Sequence, residues 1–163
     1  MAIDVPESHN RVTLNPSENP EIEYQLSDEI KDRLRFGIKQ AVTMMFKAGA
    51  ERVYIPSNED IFASGESQLK VVSFDNVSQL NALNRLQFIP GRTILTSAHM
   101  QATNKMGSDP ENSVVSQDFK VWGTENLYVM DSSIFPSSIG ANPMQSIYTF
   151  AKIFADGLAK KSH

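Results

Sequence analysis

Hydrophobic residues recur at three- and four-residue spacing in two long stretches, and this spacing predicts two amphipathic helices. The first begins at Ser27, whose hydroxyl can cap free backbone N–H groups, and ends at Gly49. Its predicted apolar stripe consists of Ile30, Leu34, Ile38, Ala41, Met45 and Ala48. The second begins at Asn142, whose side chain can cap the helix while Pro143 occupies the first turn. Its predicted stripe consists of Ile147, Ala151, Phe154 and Leu158.

Short β-prone runs, separated by proline, glycine and polar residues, account for most of the remaining pattern. They predict strands at residues 11–14, 22–26, 53–55, 69–74, 93–97 and 126–130. A short helix is predicted where Val77, Leu80, Leu83 and Leu86 share one face. Because the strands and helices do not alternate in the regular order of βαβ units, the sequence predicts an α+β fold.

Composition excludes several classes of function. The chain has 163 residues, of which 40% are hydrophobic and 21% charged, as is ordinary for a soluble globular protein. The fifteen Lys and Arg are scattered among nineteen acidic residues and the net charge is -4, so we expect no nucleic-acid partner. The absence of Cys excludes disulfides and thiolate metal sites, and we expect no metal site of another kind.

Membrane insertion and secretion are not indicated either. No apolar run approaches the roughly 20 residues of a membrane-spanning helix, and the amino terminus lacks the basic and then apolar layout of a signal peptide. We therefore expect a soluble chain without a membrane span, and its compartment is left open.

The candidate chemistry lies between His99 and Ala155. Four local patterns follow one another there: His-Met-Gln-Ala-Thr-Asn-Lys-Met-Gly from His99, Ser-Val-Val from Ser113, Asn-Leu-Tyr-Val-Met-Asp-Ser-Ser from Asn126, and Gly-Ala-Asn-Pro from Gly140. A strand ending on a His, a later strand ending on an Asp and a helix start would place polar groups at the edge of one cleft.

These patterns resemble the carboxyl-terminal signature of the glucose-methanol-choline (GMC) oxidoreductases, FAD-dependent enzymes that oxidise alcohols. In that family His-x-x-Gly-Thr-x-x-Met-Gly is followed by Asn-Leu-x-Val-x-Asp-x-Ser and then by Gly-x-Asn-Pro or Ser-His. This chain has all of them in the same order, with Ala102 where the family usually has Gly. Residues 22–28 and 46–50 resemble the sub-branch that acts on long-chain aliphatic alcohols.

The resemblance implies a division into two parts. Residues 1–87 correspond to the tail of the substrate-binding domain, in which a sheet and a long helix cover the flavin. Residues 88–163 correspond to the carboxyl-terminal segment of the FAD-binding domain, with its last strand and helix. The chain lacks the Gly-x-Gly-x-x-Gly turn that holds a dinucleotide pyrophosphate. Since family members are several times longer, we expect a fragment that is inactive, and does not hold FAD tightly, without the amino-terminal Rossmann segment.

The resemblance also implies roles for individual residues. His99 corresponds to the base that takes the hydroxyl proton while a hydride moves to the flavin. Asn142 corresponds to the group that holds the developing alkoxide through its amide N–H, and Asn at this position is typical of sterol- and choline-oxidising relatives. The implied cofactor-binding residues are Asp131, Ser132, Asn142, Pro143 and Met144. The last three begin the final helix, whose N-terminus carries about half a positive charge and is expected to face the pyrimidine edge of the flavin.

Structural alternatives stay open for these residues. His99 can be a partly buried histidine with satisfied hydrogen bonds, Asn142 a helix cap, and Asp131 a turn residue. The whole chain can also be a non-catalytic binding or interaction module derived from the same fold.

The two hypotheses predict different partners. The enzyme requires a small-molecule alcohol and the remaining amino-terminal part of the protein or a companion chain. A truncated core would expose apolar faces, so this hypothesis also predicts self-association or an ordered partner chain. The module is expected to be a stable, colourless monomer. The particular alcohol, the electron acceptor and the oligomeric state are left open by the sequence.

Overall fold

The computed structural model describes residues 10–63 and 70–161, in which short strands and two long helices form an α+β arrangement. The strands are β1 (Arg11–Leu14), β2 (Pro20–Glu23), β3 (Val53–Tyr54) and β4 (Ser73–Phe74). The α-helices are α1 (Asp28–Lys47) and α2 (Met144–Lys161), and two 3-10 helices span Val77–Arg85 and Ser132–Ile134. The chain packs as two units. One holds the described residues up to Tyr24 and from Ser97 onward, and the other holds Gln25–Thr96. The predicted α+β class is confirmed.

β1 and β2 form an antiparallel hairpin in which Arg11 lies opposite Glu23. The Asn15 side chain closes the turn by accepting hydrogen bonds from two backbone N–H groups downstream. The Arg11 guanidinium donates two bonds to the Glu23 carboxylate, at 2.7 and 3.0 Å, and this contact raises the pKa of Arg11. β2 spans Pro20–Glu23 rather than the predicted residues 22–26, because this short turn sets the register.

α1 begins and ends where the sequence predicts. The Ser27 hydroxyl accepts from Ile30 N at 3.3 Å, and Gly49 has a φ of +98°, the left-handed conformation that follows many helix ends. The core-facing stripe consists of Ile30, Leu34, Ile38, Val42 and Phe46. The predicted members Ala41, Met45 and Ala48 are exposed. The stripe instead follows a strict four-residue spacing, which places the larger Val42 and Phe46 against the core.

The core of the unit that contains α1 includes ten buried side chains of the described residues, around β3 and β4. Both strands are shorter than predicted, and residue 69, where the second was predicted to begin, lies outside the described residues. The predicted strand 93–97 is wrong. Thr93 forms a single bridge with Ser57, and Ile94 N bonds to Pro56 O at 2.9 Å. The chain then leaves the pairing, so no further ladder forms.

A buried carboxylate organises the polar interior of this unit. Glu59 is 5% exposed and accepts hydrogen bonds from the backbone N–H groups of Gln87 and Ile89, each at 2.8 Å, and from the Thr93 hydroxyl. Nearby, Arg35 Nε donates to Leu86 O at 2.8 Å. Side chains therefore help to hold residues 86–93 in place, and no local sequence pattern indicates this role for Glu59.

The other unit has a core that includes four buried side chains, Val115, Phe119, Ile134 and Phe135. α2 packs on it through Ile147, Phe150 and Phe154. Phe150, which was not predicted, belongs to this face, whereas the predicted members Ala151 and Leu158 are not among the side chains packed on the core, and Leu158 is exposed. The predicted strand 126–130 is also wrong, because its backbone makes only an isolated bridge at Tyr128 and scattered bonds with residues 119–121. Among the helices that the structure describes, none is long and apolar enough to span a bilayer.

Candidate functional site

One open cavity, of about 620 Å³, lies in the unit that contains α2. Three separate segments contribute to its lining: residues 98–103, 131–133 and 143–148. Five of the six predicted site residues line this cavity, namely His99, Asp131, Ser132, Pro143 and Met144. The volume lies within the range of about 300–1,000 Å³ that is typical of small-molecule sites.

Backbone hydrogen bonds bring the first two of these segments together. The N–H groups of Ala102, Asn104 and Met106 donate to the carbonyls of Ser132, Ser133 and Ile134 at 3.2, 2.9 and 2.8 Å. Side chains extend this pairing, since Ser132 Oγ donates to Met100 O at 2.8 Å and Asn104 Nδ2 to Ser133 Oγ at 3.0 Å. The pairing holds residues far apart in sequence, such as His99 and Asp131, at one cavity.

His99 is half-buried, and its backbone is fixed on both sides. Its N–H donates to Ser97 Oγ at 3.2 Å, and its carbonyl accepts from Gln101 Nε2 at 3.4 Å. The imidazole itself makes no hydrogen bond or ion pair with the part of the chain that the structure describes. Its ring nitrogens are therefore available to a ligand in the cavity, unlike those of a histidine that is satisfied within a core.

Asp131 and Ser132 combine a local structural role with a position at the cavity. Asp131 Oδ1 accepts from Ser133 N at 2.8 Å and so caps the 3-10 helix Ser132–Ile134. The hydroxyl proton of Ser132 is donated to Met100 O. Towards a ligand, the second carboxylate oxygen of Asp131 and the lone pairs of Ser132 Oγ can therefore act only as hydrogen-bond acceptors.

The start of α2 differs from the prediction by one residue. The first helical hydrogen bond runs from Ile147 N to Pro143 O at 2.9 Å. Since the carbonyl of the cap residue accepts the first helical bond, Pro143 occupies the cap position. Asn142 lies one residue before it and is exposed rather than part of the cavity lining. The N–H groups of Met144, Gln145 and Ser146 have no acceptor within the helix, and Met144 lines the cavity.

Ala102, where the family usually has Gly, has a φ of +70° and is buried. This is the left-handed region, which costs an L-residue roughly 1–2 kcal/mol relative to Gly. The backbone conformation at this turn is thus one that Gly adopts freely, and alanine supplies it at some strain. Ala102 N donates to Ser132 O, so the turn takes part in the pairing that forms the cavity.

We expect Ala102→Val to lower the free energy of unfolding by about 2 kcal/mol or more, because a β-branched residue is poorly accommodated at positive φ and overpacks a buried site. Ala102→Gly should change it by less than about 1 kcal/mol, since relief of strain offsets the lost methyl burial and the greater chain entropy of Gly. Urea denaturation provides the measurement. Ala155→Val, at an exposed position of α2, is the control. Equal effects of the two Val substitutions would contradict the strained turn.

The loop after Gly107 is closely packed. A Cβ at Gly107 would lie 2.9 Å from Ser113 Cβ, so a larger residue there would force the Ser113 side chain to shift. Ser113 Oγ accepts a hydrogen bond from Trp122 Nε1 at 2.9 Å. The Asp109 carboxylate accepts bonds from the Asn112 side chain and from Glu111 N, and these bonds lower the pKa of Asp109.

We expect the Asp109 carboxylate to titrate below the ordinary pKa of aspartate. A lowered pKa in the folded chain means that the ionised form favours the folded loop. This contribution is fully present above the pKa of the unfolded chain and is lost as the pH falls through the folded one. Carboxyl NMR titration measures the midpoint, and Asn112→Ala should raise it. A midpoint at the ordinary value, unchanged in Asn112→Ala, would show that the bonds to Asp109 do not persist in solution.

This chain is similar to one family model and to several known proteins. A family model described as GMC oxidoreductase matches residues 6–151. A long-chain-alcohol oxidase of Arabidopsis thaliana is 30% identical over 132 residues, which cover 80% of this chain and 18% of that protein. A second long-chain-alcohol oxidase of the same plant is 23% identical over 145 residues, covering 85% of this chain and 19% of that protein. This chain thus spans about a fifth of the length of these curated relatives.

A solved structure shows the same fold. The crystal structure of pyridoxine 4-oxidase from Mesorbium loti matches with a TM-score of 0.57 at 18% identity, over 94% of this chain and 28% of that one. At this level of identity the likeness concerns the fold alone.

Proposed function

This chain belongs to the GMC oxidoreductase family, and from that premise we propose that it forms the carboxyl-terminal part of a flavin-dependent enzyme that oxidises the CH–OH group of an alcohol. One observation carries the proposal. A single cavity is lined by an imidazole without a described hydrogen-bond partner, by two hydrogen-bond acceptors and by the N-terminal end of a long helix. We propose FAD as the cofactor, with most of its site outside this chain.

The groups at the cavity fit a flavin by their chemistry. The acceptors on Asp131 and Ser132 suit the hydroxyl groups of a ribityl chain. The N–H groups of Met144 and Gln145, at the positive end of α2, suit an electron-rich or anionic ring edge. Pro143 and Asn142 would bring the preceding backbone to that edge. When bound, the flavin accepts the hydride that leaves the carbinol carbon.

The proposed role of His99 is to accept the hydroxyl proton of the alcohol. A base for this step must reach the oxygen directly, and imidazole is the side chain that exchanges a proton most readily near neutral pH. The exposed carboxamide of Asn142 would hold the same oxygen as negative charge develops, since its N–H donates without competing for the proton.

The proposed division of the chain follows the family. Residues 1–87 would complete the substrate-binding domain, and residues 88–163 would return to the FAD-binding domain with the catalytic pair His99 and Asn142. The partner would be the amino-terminal part of the enzyme or a companion chain, with a small-molecule alcohol as substrate. The hairpin supports a covering partner, because the cross-strand pair Val12 and Ile22 is exposed. Self-association is the other proposed way of covering it.

Product analysis tests the proposed reaction. The chain is produced with the upstream segment of its own coding sequence, or with the corresponding segment of the Arabidopsis long-chain-alcohol oxidase, and incubated with primary alcohols. We expect flavin-dependent formation of the carbonyl product. An assembly that binds flavin and yields no carbonyl product from any alcohol would contradict the proposal.

A further inference from the structure

One side chain connects the two segments that carry the proposed catalytic pair. Gln101 Oε1 accepts a hydrogen bond from Ile139 N at 3.1 Å, and Gln101 Nε2 donates a longer one to His99 O at 3.4 Å. We propose that Gln101 is a positioning residue, which sets where Asn142 lies relative to His99. This role rests on the proposed function, in which the two residues act on the same substrate oxygen.

The backbone of Gln101 is held on both sides by a single residue. Ser132 Oγ donates to Met100 O at 2.8 Å, and Ser132 O accepts from Ala102 N at 3.2 Å. The Gln101 side chain is half-buried and is not part of the cavity lining. Because this anchored side chain does not reach the cavity, its effect on the reaction passes through the residues that it holds.

A carboxamide is the group that fits both contacts of Gln101. The backbone N–H of Ile139 requires an acceptor and the His99 carbonyl requires a donor, and a glutamine side chain has both on one planar group. An ionised Glu offers only acceptors, and Met has a similar length but no strong donor or acceptor. Substitution by Glu therefore removes one contact, and substitution by Met removes both.

The loop before α2 depends on the contact with Gln101. Residues 136–142 contain neither helix nor strand. Within the described structure, their one hydrogen bond to another segment runs from Ile139 N to Gln101 Oε1. At the far end of the loop, Pro143 is buried and accepts the first hydrogen bond of α2. Asn142 thus lies between an end that α2 fixes and an end that Gln101 holds.

Loss of the Gln101 contacts should slow the reaction more than it weakens substrate binding, because a group that stabilises developing charge acts mainly in the transition state. A displacement of about 1 Å can cost about 10²-fold in rate. We expect Gln101→Met to lower the rate constant of flavin reduction at saturating alcohol by about 10- to 10²-fold, and to change the half-saturating concentration by less than about three-fold. Stopped-flow absorbance of the flavin-loaded enzyme, mixed with a primary alcohol without oxygen, measures both.

Matched variants separate positioning from a general loss of structure. Gln117→Met should leave the rate unchanged, because Gln117 is exposed in the same unit and its side chain makes no hydrogen bond with the described residues. In an Asn142→Ala background, Gln101→Met should lower the rate by at most about three-fold, since the group that it positions is already gone. An undiminished effect in that background would overturn the inference, as would equal losses in Gln101→Met and Gln117→Met.

Hydrogen exchange tests the contact without reference to the reaction. Hydrogen–deuterium exchange of the assembled enzyme, followed by mass spectrometry, reports on the peptide that contains Ile139. We expect Gln101→Met to raise the exchange rate of the Ile139 amide by about two- to ten-fold, the factor that corresponds to one ordinary hydrogen bond. Gln101→Glu keeps an acceptor for this amide and should leave its exchange close to that of the unchanged enzyme.

The two measurements distinguish failure of the inference from failure of the proposed function. Unchanged exchange of Ile139 in Gln101→Met would show that the side chain does not hold the loop and would overturn the inference, whatever the rate. Faster exchange with an unchanged rate of flavin reduction would overturn the positioning role. An unchanged enzyme that binds flavin and oxidises no alcohol would contradict the proposed function, and the exchange of Ile139 would still decide whether Gln101 holds the loop.

Discussion

His99→Ala is expected to lower kcat/KM for alcohol oxidation by about 10²- to 10⁴-fold in the flavin-loaded enzyme, the usual contribution of a general base. The reason is that the imidazole lines the cavity and makes no hydrogen bond with the described residues, so its loss removes the proposed proton acceptor without breaking a described hydrogen bond. Steady-state turnover with a primary alcohol gives the measurement.

Two controls show whether the lower turnover of His99→Ala comes from loss of the base or from loss of bound flavin. Bound flavin, measured by absorbance after denaturation, should be the same in His99→Ala and the unchanged enzyme. Turnover in the variant should also recover partly with added imidazole, which can take the proton in place of the side chain. A variant that keeps more than a tenth of the original kcat/KM would rule out His99 as the base.

Glu59→Ala is expected to lower the free energy of unfolding by about 2–4 kcal/mol, because it removes a buried side chain that accepts three hydrogen bonds. The substitution leaves the part-buried N–H groups of Gln87 and Ile89 without their acceptor, and a buried donor without a partner costs at most roughly 1–3 kcal/mol. Urea denaturation followed by circular dichroism measures the change.

The control for this substitution is Glu51→Ala, an exposed carboxylate in the same unit, with an expected effect within about 0.5 kcal/mol. Glu59→Gln should be intermediate, because the carboxamide keeps the shape but offers one oxygen to two N–H donors. Similar stabilities of Glu59→Ala and Glu51→Ala would show that the buried carboxylate does not hold residues 87–93.

Local signals explain which elements of the fold could be predicted. α1 follows from a hydroxyl cap at Ser27, regular apolar spacing and Gly49, all of which act within a few residues. The strands predicted at 93–97 and 126–130 failed because β structure depends on a distant partner. Thr93 contacts Ser57 and Glu59, and neither run has a described partner strand with which to form a long ladder. A β-prone run alone does not contain that information.

The candidate site likewise could be predicted where local motifs indicate it and not where it depends on long-range contacts. The resemblance to the GMC family is confirmed, and its motifs pointed to five residues that the structure brings to one cavity. Their catalytic and cofactor-binding roles stay predictions, as does that of Asn142, which lies just before the cap of α2. Met100 and Tyr148, which also line the cavity, were not singled out by any sequence motif. Glu59 depends on long-range burial, which no local pattern indicates.

The flavin absorbance spectrum of the chain, purified together with its amino-terminal segment, tests the central claim most directly. We expect flavin absorption bands that bleach when a primary alcohol is added without oxygen, and that bleach about 10²-fold or more slowly in His99→Ala. A colourless chain whose absorbance changes neither with the segment nor with the alcohol would contradict this claim and would support a non-catalytic binding module.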